Sequence, residues 1–517
     1  MAVKVYSAQV VGLKADIVEV EVDLSQGLHS FSVVGLPDKA VEESKDRISA
    51  AIKNSGFVSP QKKNQRVTIS LAPADLKKEG PVFDLAIALA YLLASKQIFF
   101  DIKDKLFLGE LALDGLVRPI KGTLALVKYA QKAGFKEIFV PKENTEEAAL
   151  IRGIKVFGCQ RLKEIASHLN PKEDFNFKEQ SETKINFDEL QKETLLDFVD
   201  IKGQENAKRG LEIAAAGGHH VLMIGPAGTG KTMLAKAFST ILPPLSFEEI
   251  LETTLIHSIA GTLSGNFLTQ RPFRSPHHTS SYAALVGGGA YPKPGEITLS
   301  HRGVLFLDEF PEFERRVIES LRQPIEEGII NISRAKESLT FPSRFIMICA
   351  MNPCPCGNLG SKTKTCVCSQ TGLMRYQRKI SGPIMDRIDL WLDVPAVEYE
   401  KLSDSKSTGE NSKTIQKRVI KAREIQNERF SAKGGSASGG KGTKILTNSE
   451  MGVRELKKFV SLPEKLTDIL NQAAKRLDLS ARAYHRVIKL ARTIADLEES
   501  ENVSENHLFE ALQYRPQ

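Results

Sequence analysis

The segment Gly225-Pro226-Ala227-Gly228-Thr229-Gly230-Lys231-Thr232 has the residue types and spacing for phosphate chemistry. Its glycines let successive backbone N–H groups wrap a triphosphate at a helix N-terminus. The Lys231 ammonium reaches the β- and γ-phosphate oxygens, and the Thr232 hydroxyl ligates Mg²⁺. A second group lies downstream, where the apolar run Gly303–Leu307 ends in Asp308 and Glu309. Asp308 is placed to hold Mg²⁺, directly or through water, and Glu309 to orient and deprotonate an attacking water. Paired acids after a strand also cap helices; the phosphate loop at a fitting distance upstream favours the metal and the water. A third apolar run, Phe345–Ala350, leads to Asn352, a polar residue placed to sense the γ-phosphate. ATP and Mg²⁺ are the cofactors these residues imply.

Four of the chain's six cysteines stand in one short stretch, Cys354, Cys356, Cys366 and Cys368. Four thiolates suit tetrahedral Zn²⁺ and leave no open position for catalysis, so the expected role is structural. Such a metal would staple a polar loop that has few apolar residues to bury. Cys-x-Cys is tighter than the usual Cys-x₂-Cys knuckle, so free thiols or a redox pair stand as alternatives.

These residues need elements to position them. HHVLMIGPAGTGKTMLAKAF reads as strand, glycine loop and helix, and GVLFLDE and FIMICA read as buried strands. The expected fold class is α/β. Ahead of this core a block covering residues 1–168 mixes strands and helices. Within it Ile17–Leu24 alternates apolar and acidic residues as a half-buried strand does, Asp38–Asn54 has helical spacing and Arg66–Leu71 reads as a strand. Pro81–Ser95 reads as a helix opening on proline, and Leu106–Leu113, Asp114-Gly115 and Leu116-Val117 read as a hairpin. A polar linker is expected over 169–193 and the core over 194–400. Residues 401–443 form a connecting segment with one charged helix and the Gly/Ser-rich stretch Ser431–Thr443. The last block, 444–517, has helical periodicity and no strand signal.

At 517 residues the chain has material for several cores. The N-terminus lacks the apolar segment of a signal peptide, and the most apolar run, Val82–Ala94, contains Asp84 and is too short to span a bilayer. A cytoplasmic protein with no membrane partner is expected, a compartment in which clustered cysteines favour metal over stable disulfides. A net charge of +8 permits a polyanionic partner without demanding one.

The strand ending at Asn352 is the arrangement of AAA+ ATPases. RPFRSPHHTSSYAALVGGGAYPKPGEITLSHRGVLFLDEF resembles the magnesium-chelatase-type branch, and over nearly the whole chain the sequence is similar to the ComM/YifB family. That resemblance implies a homohexameric, ATP-driven DNA helicase that promotes branch migration during homologous recombination and natural transformation, on single-stranded and branched DNA, with recombination proteins as possible partners. A chelatase-like or chaperone-like remodeller of a protein is the alternative. Arg387 matches the arginine finger reaching a neighbouring subunit's ATP, against an intrachain ion pair to Asp386 or Asp389. Arg482 suits the sensor-2 role, with Arg486 one helical turn away. Asp200–Gln204 resembles the segment that covers adenine. Arg334 and Lys336, in a hairpin turn expected to face the ring pore, are the DNA-binding candidates. His277 and His278 belong to the helix-2 insert, where a pore-loop or structural role is expected.

Residues 1–168 resemble the Lon-protease-like fold related to ribosomal protein S5, through Glu79-Gly80-Pro81 and Gly109–Ile120. Active Lon-type peptidases need a serine just after the Gly-Pro and a lysine in the helix after the Pro-Ile turn. Here those places hold Val82 and Ala125 or Leu126, so peptidase activity is not expected. The last block resembles the helical lid of the magnesium-chelatase C-terminal type.

Overall fold

The computed structural model describes residues 2–183, 196–289, 293–333, 338–360, 364–397, 409–432, 438–439 and 443–516. The chain divides into two units, Met1–Phe187 with Phe247–Leu268, and Asp188–Ser246 with Thr269–Gln517.

In the first unit, alternation in the sequence becomes alternation of burial. Along Lys14–Gln26, Val18, Val20 and Val22 are buried while Lys14, Asp16 and Asp23 face solvent. Burying each such side chain stabilises by roughly 1.5–3 kcal/mol, so a one-residue slip that turned the valines outward would cost several times that. This strand pairs antiparallel with Val3–Val11 on one side and Gln65–Ala72 on the other, and Ser30–Val34 joins the outer edge in parallel. Helix Lys39–Asn54 starts at Asp38, whose carboxylate accepts from the Val41 N–H at 2.8 Å. Pro81–Phe83 is a 3₁₀ turn leading into helix Asp84–Ala94, in which every residue from Asp84 to Leu92 is buried. That all-round burial follows from DLAIALAYLLA, which has no polar face beyond its first residue.

The expected hairpin is shorter than its sequence signal. Only Glu110–Leu111 pairs with Val117–Arg118. Lys105–Phe107 instead runs parallel to Glu137–Pro141, which pairs in turn with Lys155–Cys159. A buried apolar stretch reads alike whichever neighbour it takes, so tertiary packing selected the parallel partner.

Helix Phe247–Ala260 lies within the second block of the sequence, yet its packing belongs to the first unit. Ser258 Oγ accepts from the Gly122 N–H at 2.9 Å and donates to Glu147 at 2.5 Å. The same carboxylate accepts from the Leu124 N–H at 2.9 Å. Burial pushes the Glu147 carboxyl above the usual carboxylate range.

The second unit is built on a five-stranded parallel sheet, in the order Phe273–Arg274, Val304–Leu307, Ile346–Met351, Val221–Ile224, Leu390–Asp393. Its three central strands are almost wholly buried, as their unbroken apolar runs require of a parallel sheet covered on both faces. Helices Glu205–Gly217, Ser412–Ala432 and Ala481–Leu497 contribute to the same apolar core. An antiparallel hairpin, Ile329–Ser333 with Ser338–Pro342, stands outside the main sheet. Its turn, with Arg334 and Lys336, lies outside the described residues. From Ser449 to Tyr514 the described chain contains helices and no strand. Among the described residues no helix is long and apolar enough to cross a membrane.

Candidate active site

The phosphate loop joins strand Val221–Ile224 to helix Lys231–Ile241. Gly228 and Gly230 adopt φ of +78° and +89°, and a Cβ at Gly225 would sit 2.1 Å from the Val394 carbonyl oxygen. The first two need glycine for backbone conformation and the third for space. Lys231 Nζ donates to the carbonyl oxygens of Gly225 and Pro226 at 2.6 and 2.8 Å, and to Asn352 Oδ1 at 3.2 Å. Asn352 therefore meets the lysine from the end of the neighbouring strand. Burial draws the ammonium below its ordinary pKa, with Asp308 opposing.

Thr232 Oγ1 donates to Asp308 Oδ2 at 2.9 Å. A hydroxyl and a carboxylate oxygen at this spacing fit a hard divalent cation such as Mg²⁺. The other Asp308 oxygen accepts from the Glu309 N–H at 2.9 Å. Glu309 has φ of +51°, a left-handed conformation that is uncommon for a residue with a side chain. Its carboxylate lies 3.0 Å from His278 Nδ1. Gln204, also left-handed, donates to the Pro395 carbonyl at 2.6 Å and reaches the Thr229 carbonyl at 3.5 Å, so the Asp200–Gln204 segment borders the phosphate loop.

Arg387 is buried and donates to Glu326 Oε1 at 2.5 Å and to the Pro383 carbonyl. An intrachain ion pair does form, but with Glu326 in place of the Asp386 or Asp389 partner anticipated from sequence. Arg482 Nη2 shares the same Glu326 oxygen at 3.2 Å. Arg486 is committed elsewhere, paired with Asp389. The His220 N–H donates to Asp389 at 2.9 Å and His219 Nδ1 lies 3.6 Å from it. Burial alone would raise the Asp389 carboxyl, but Arg486, then His219 and His220, hold it well below the usual carboxylate range. Burial lowers His220 to about 4, and its Nδ1 accepts from the Met347 N–H at 3.0 Å. This network braces three neighbouring strands of the sheet at the end away from the phosphate loop.

The four cysteine sulfurs lie within 4.8 Å of one another. Cys354–Cys356, Cys356–Cys366 and Cys366–Cys354 are separated by 3.4, 3.7 and 3.7 Å. A tetrahedral zinc–thiolate site, with Zn–S of about 2.3 Å, sets its sulfurs roughly 3.8 Å apart, so the cluster fits such an ion. Hydrogen bonds from the Asn358 and Val367 backbone lower the Cys356 thiol to about 6. Gly357 backs onto Asn352 and Ala227; a Cβ there would lie 3.9 Å from the asparagine and 4.0 Å from the alanine. The cluster is thereby in register with the phosphate loop.

The His278–Glu309 contact, the shared Glu326 and the Asp389 network went unread in the sequence. Each joins residues far apart in the chain, and no local spacing signals it.

Family models for magnesium chelatase match the chain in three pieces: subunit ChlI of Mg-chelatase over residues 20–144, magnesium chelatase subunit ChlI over 197–402, and the ChlI C-terminal model over 409–515. The competence protein ComM of Haemophilus influenzae is 42% identical over 99% of this chain and 97% of the relative. The uncharacterized protein YifB of Salmonella typhimurium is 43% identical over 99% of this chain and 96% of its own length. A partial match, 27% identical over 29% of each chain, is to Lon protease 2 of Bacillus subtilis. With the parallel sheet, phosphate loop and paired carboxylates in place, these likenesses lead to one conclusion: the chain belongs to the ComM/YifB family of magnesium-chelatase-like AAA+ ATPases.

Proposed function

We propose that the protein is a hexameric DNA motor, a helicase that couples ATP hydrolysis to branch migration in homologous recombination and natural transformation. The observation that carries the reading is the meeting of Lys231, Thr232, Asp308, Glu309 and Asn352 around one phosphate loop. The competence role in the printed name of a full-length relative supports the DNA substrate. Lys231 and the loop N–H groups from Gly225 to Thr232 bind the phosphates, and Asn352 positions the lysine and the γ-phosphate. Thr232 and Asp308 would hold Mg²⁺, which supplies charge neutralisation on the phosphate oxygens. Glu309 takes a proton from the attacking water.

Arg387 is the proposed finger in trans. Arg387 and Arg482 place two guanidiniums on one carboxylate, an excess of positive charge that suits a neighbour's polyphosphate. Arg482 is the proposed sensor-2 residue; the pairing of Arg486 with the buried Asp389 supports choosing it over Arg486. Arg334 and Lys336 are proposed to follow the DNA backbone, and the four cysteines to hold structural zinc. The domain plan is a Lon-like (S5-like) domain over 1–168, a linker over 169–193, an ATPase core over 194–400, a connecting segment over 401–443 and a helical lid over 444–517. Val82 packs against the apolar cluster that contains Ala125 and Leu126, which offers no nucleophile or base for peptide hydrolysis. The cell compartment in keeping with this role is the cytoplasm.

The magnesium-chelatase matches favour a second reading, a chelatase- or chaperone-like remodeller of a protein partner. ATP turnover measured with and without single-stranded and branched DNA, over a range of salt, separates the two. The motor reading expects DNA to stimulate hydrolysis and expects branch migration that Lys231→Ala abolishes. Hydrolysis indifferent to every DNA form would remove it in favour of the remodeller.

A further inference from the structure

Three arginines outside the ATP site converge on one open cleft of the second unit, about 400 Å³ in volume. Arg315 opens the short helix Arg315–Ser320, two residues beyond Phe313. Arg375 lies in the last turn of helix Gln370–Gln377, which follows the four-cysteine stretch, and Arg378 caps the C-terminus of that helix. All three side chains are exposed, and among the described residues none forms an ion pair. A fourth cation, Lys379, pairs with Glu312 at 2.7 Å. The cleft is therefore lined by four cations and one carboxylate, with the buried Phe313 beside them. It also lies close to the hydrolytic residues along the chain: the Glu312 N–H donates to the Glu309 carbonyl at 2.7 Å.

A cation in the last turn of a helix offsets the helix dipole, which gives Arg375 and Arg378 a structural use. It gives none to Arg315, which stands at the positive end of its own helix, where a cation is disfavoured. Like charges drawn from two separate segments repel, so their convergence serves a polyanion better than it serves the fold. The guanidinium fork matches phosphate oxygens, and three forks along one cleft suit a run of phosphates. Phe313 is the sole aromatic residue lining the cleft and it is buried, so the cleft offers no platform for stacking bases. Recognition there rests on charge and carries no sequence preference.

We propose that this cleft binds the phosphodiester backbone of a single DNA strand, through Arg315, Arg375 and Arg378. This rests on the DNA-motor reading and adds a contact separate from Arg334 and Lys336. The test titrates the full chain, with Mg²⁺ and a non-hydrolysable ATP analogue, against fluorescein-labelled oligothymidylate, read by anisotropy at about 50–200 mM salt. The combined variant Arg315→Gln, Arg375→Gln, Arg378→Gln should bind about 10–100-fold more weakly. Its slope of log affinity against log salt should be shallower by about 2, the value for three phosphate contacts to a single strand. Lysine at the same three positions should keep the parent slope, because a phosphate backbone is held by charge. An unchanged slope in the glutamine variant overturns the proposal and leaves the motor reading standing. Loss of the parent's assembly state in that variant also overturns it, by setting the arginines against a neighbouring subunit. Should the triple variant fail to fold, the single variants decide, each with an expected slope change of about 0.7. A parent protein that binds branched DNA but not oligothymidylate overturns the proposal alone, whereas one that binds neither sinks the motor reading itself.

Discussion

The two units set particular carboxyls in contrasting surroundings. In the first, Asp84 and Glu147 are buried and enclosed by partners of their own unit: Arg47 and the Leu111 N–H for one, Ser258 and the Leu124 N–H for the other. Burial pushes the Asp84 carboxyl up to about 7 and Glu147 in the same direction. In the second, Asp308 and Glu309 stand at the surface beside the phosphate loop, open to a cation and a water. Its buried titratable groups include His219, His220 and Asp389; burial draws both histidines below their ordinary pKa, and Arg486 holds the aspartate well below the usual carboxylate range. Burial with satisfied partners turns a carboxyl into structure, whereas exposure beside phosphate-binding groups leaves it free for chemistry.

The sharpest test of this contrast exchanges one acid in each unit for its amide. Glu309→Gln should lower ATP turnover by roughly 10²–10⁴-fold, the usual worth of a general base, while nucleotide binding and assembly persist. Glu147→Gln should leave turnover within about twofold of the parent, because its partners, Ser258 and the Leu124 N–H, belong to the first unit. Equal losses in steady-state assays would erase the distinction.

A smaller effect is expected from Asp389→Ala. Removing this carboxylate strands Arg486 and leaves the His220 N–H without its partner, at a cost of about 3–5 kcal/mol. Unfolding of the second unit, followed by hydrogen exchange, should move accordingly and that of the first should not. A loss under about 1 kcal/mol would show that the network is dispensable.

The smallest effect is a crossing of pH dependences. Asp84 titrates near 7 folded against 3.8 for the free group, so its burial is tolerated at low pH and increasingly penalised as pH rises from 4 to 7. His220 titrates near 4 folded against 6.5, so its contribution is intact above 6.5 and is lost as pH falls towards 4. Between pH 7 and pH 5 each group shifts its own unit by about 2 kcal/mol, the first towards stability and the second away from it. Hydrogen exchange resolved by unit at the two pH values should show opposite changes. Asp84→Asn and His220→Gln should each flatten the slope of their own unit, and parallel slopes that survive both substitutions would dissolve the comparison.

The phosphate loop, the Asp308–Glu309 pair and the four cysteines were legible because each is a local pattern. A few residues at fixed spacing, flanked by the right apolar runs, leave little freedom in what they can form. The strands Lys14–Gln26 and Gln65–Ala72 were legible for the same reason, their period-two burial being written in the chain. The hairpin after Lys105 was read too long, because a short apolar run does not say which strand it will join. The attachment of Phe247–Ala260 to the first unit was not readable either: its apolar residues needed a partner surface that lies more than a hundred residues earlier in sequence.

What the sequence determined by itself was the candidate phosphate-binding and acidic residues and the elements that carry them, since helix, loop and strand follow from neighbours within a few residues. Tertiary structure decided the pairings: His278 with Glu309, Arg387 and Arg482 with one Glu326, Arg486 with Asp389. The physical reason is that an ion pair or hydrogen bond depends on distance in space, and a charged side chain accepts any complementary partner that packing brings within reach. Local pattern carries the chemistry; packing alone chooses which of those charges restrains another.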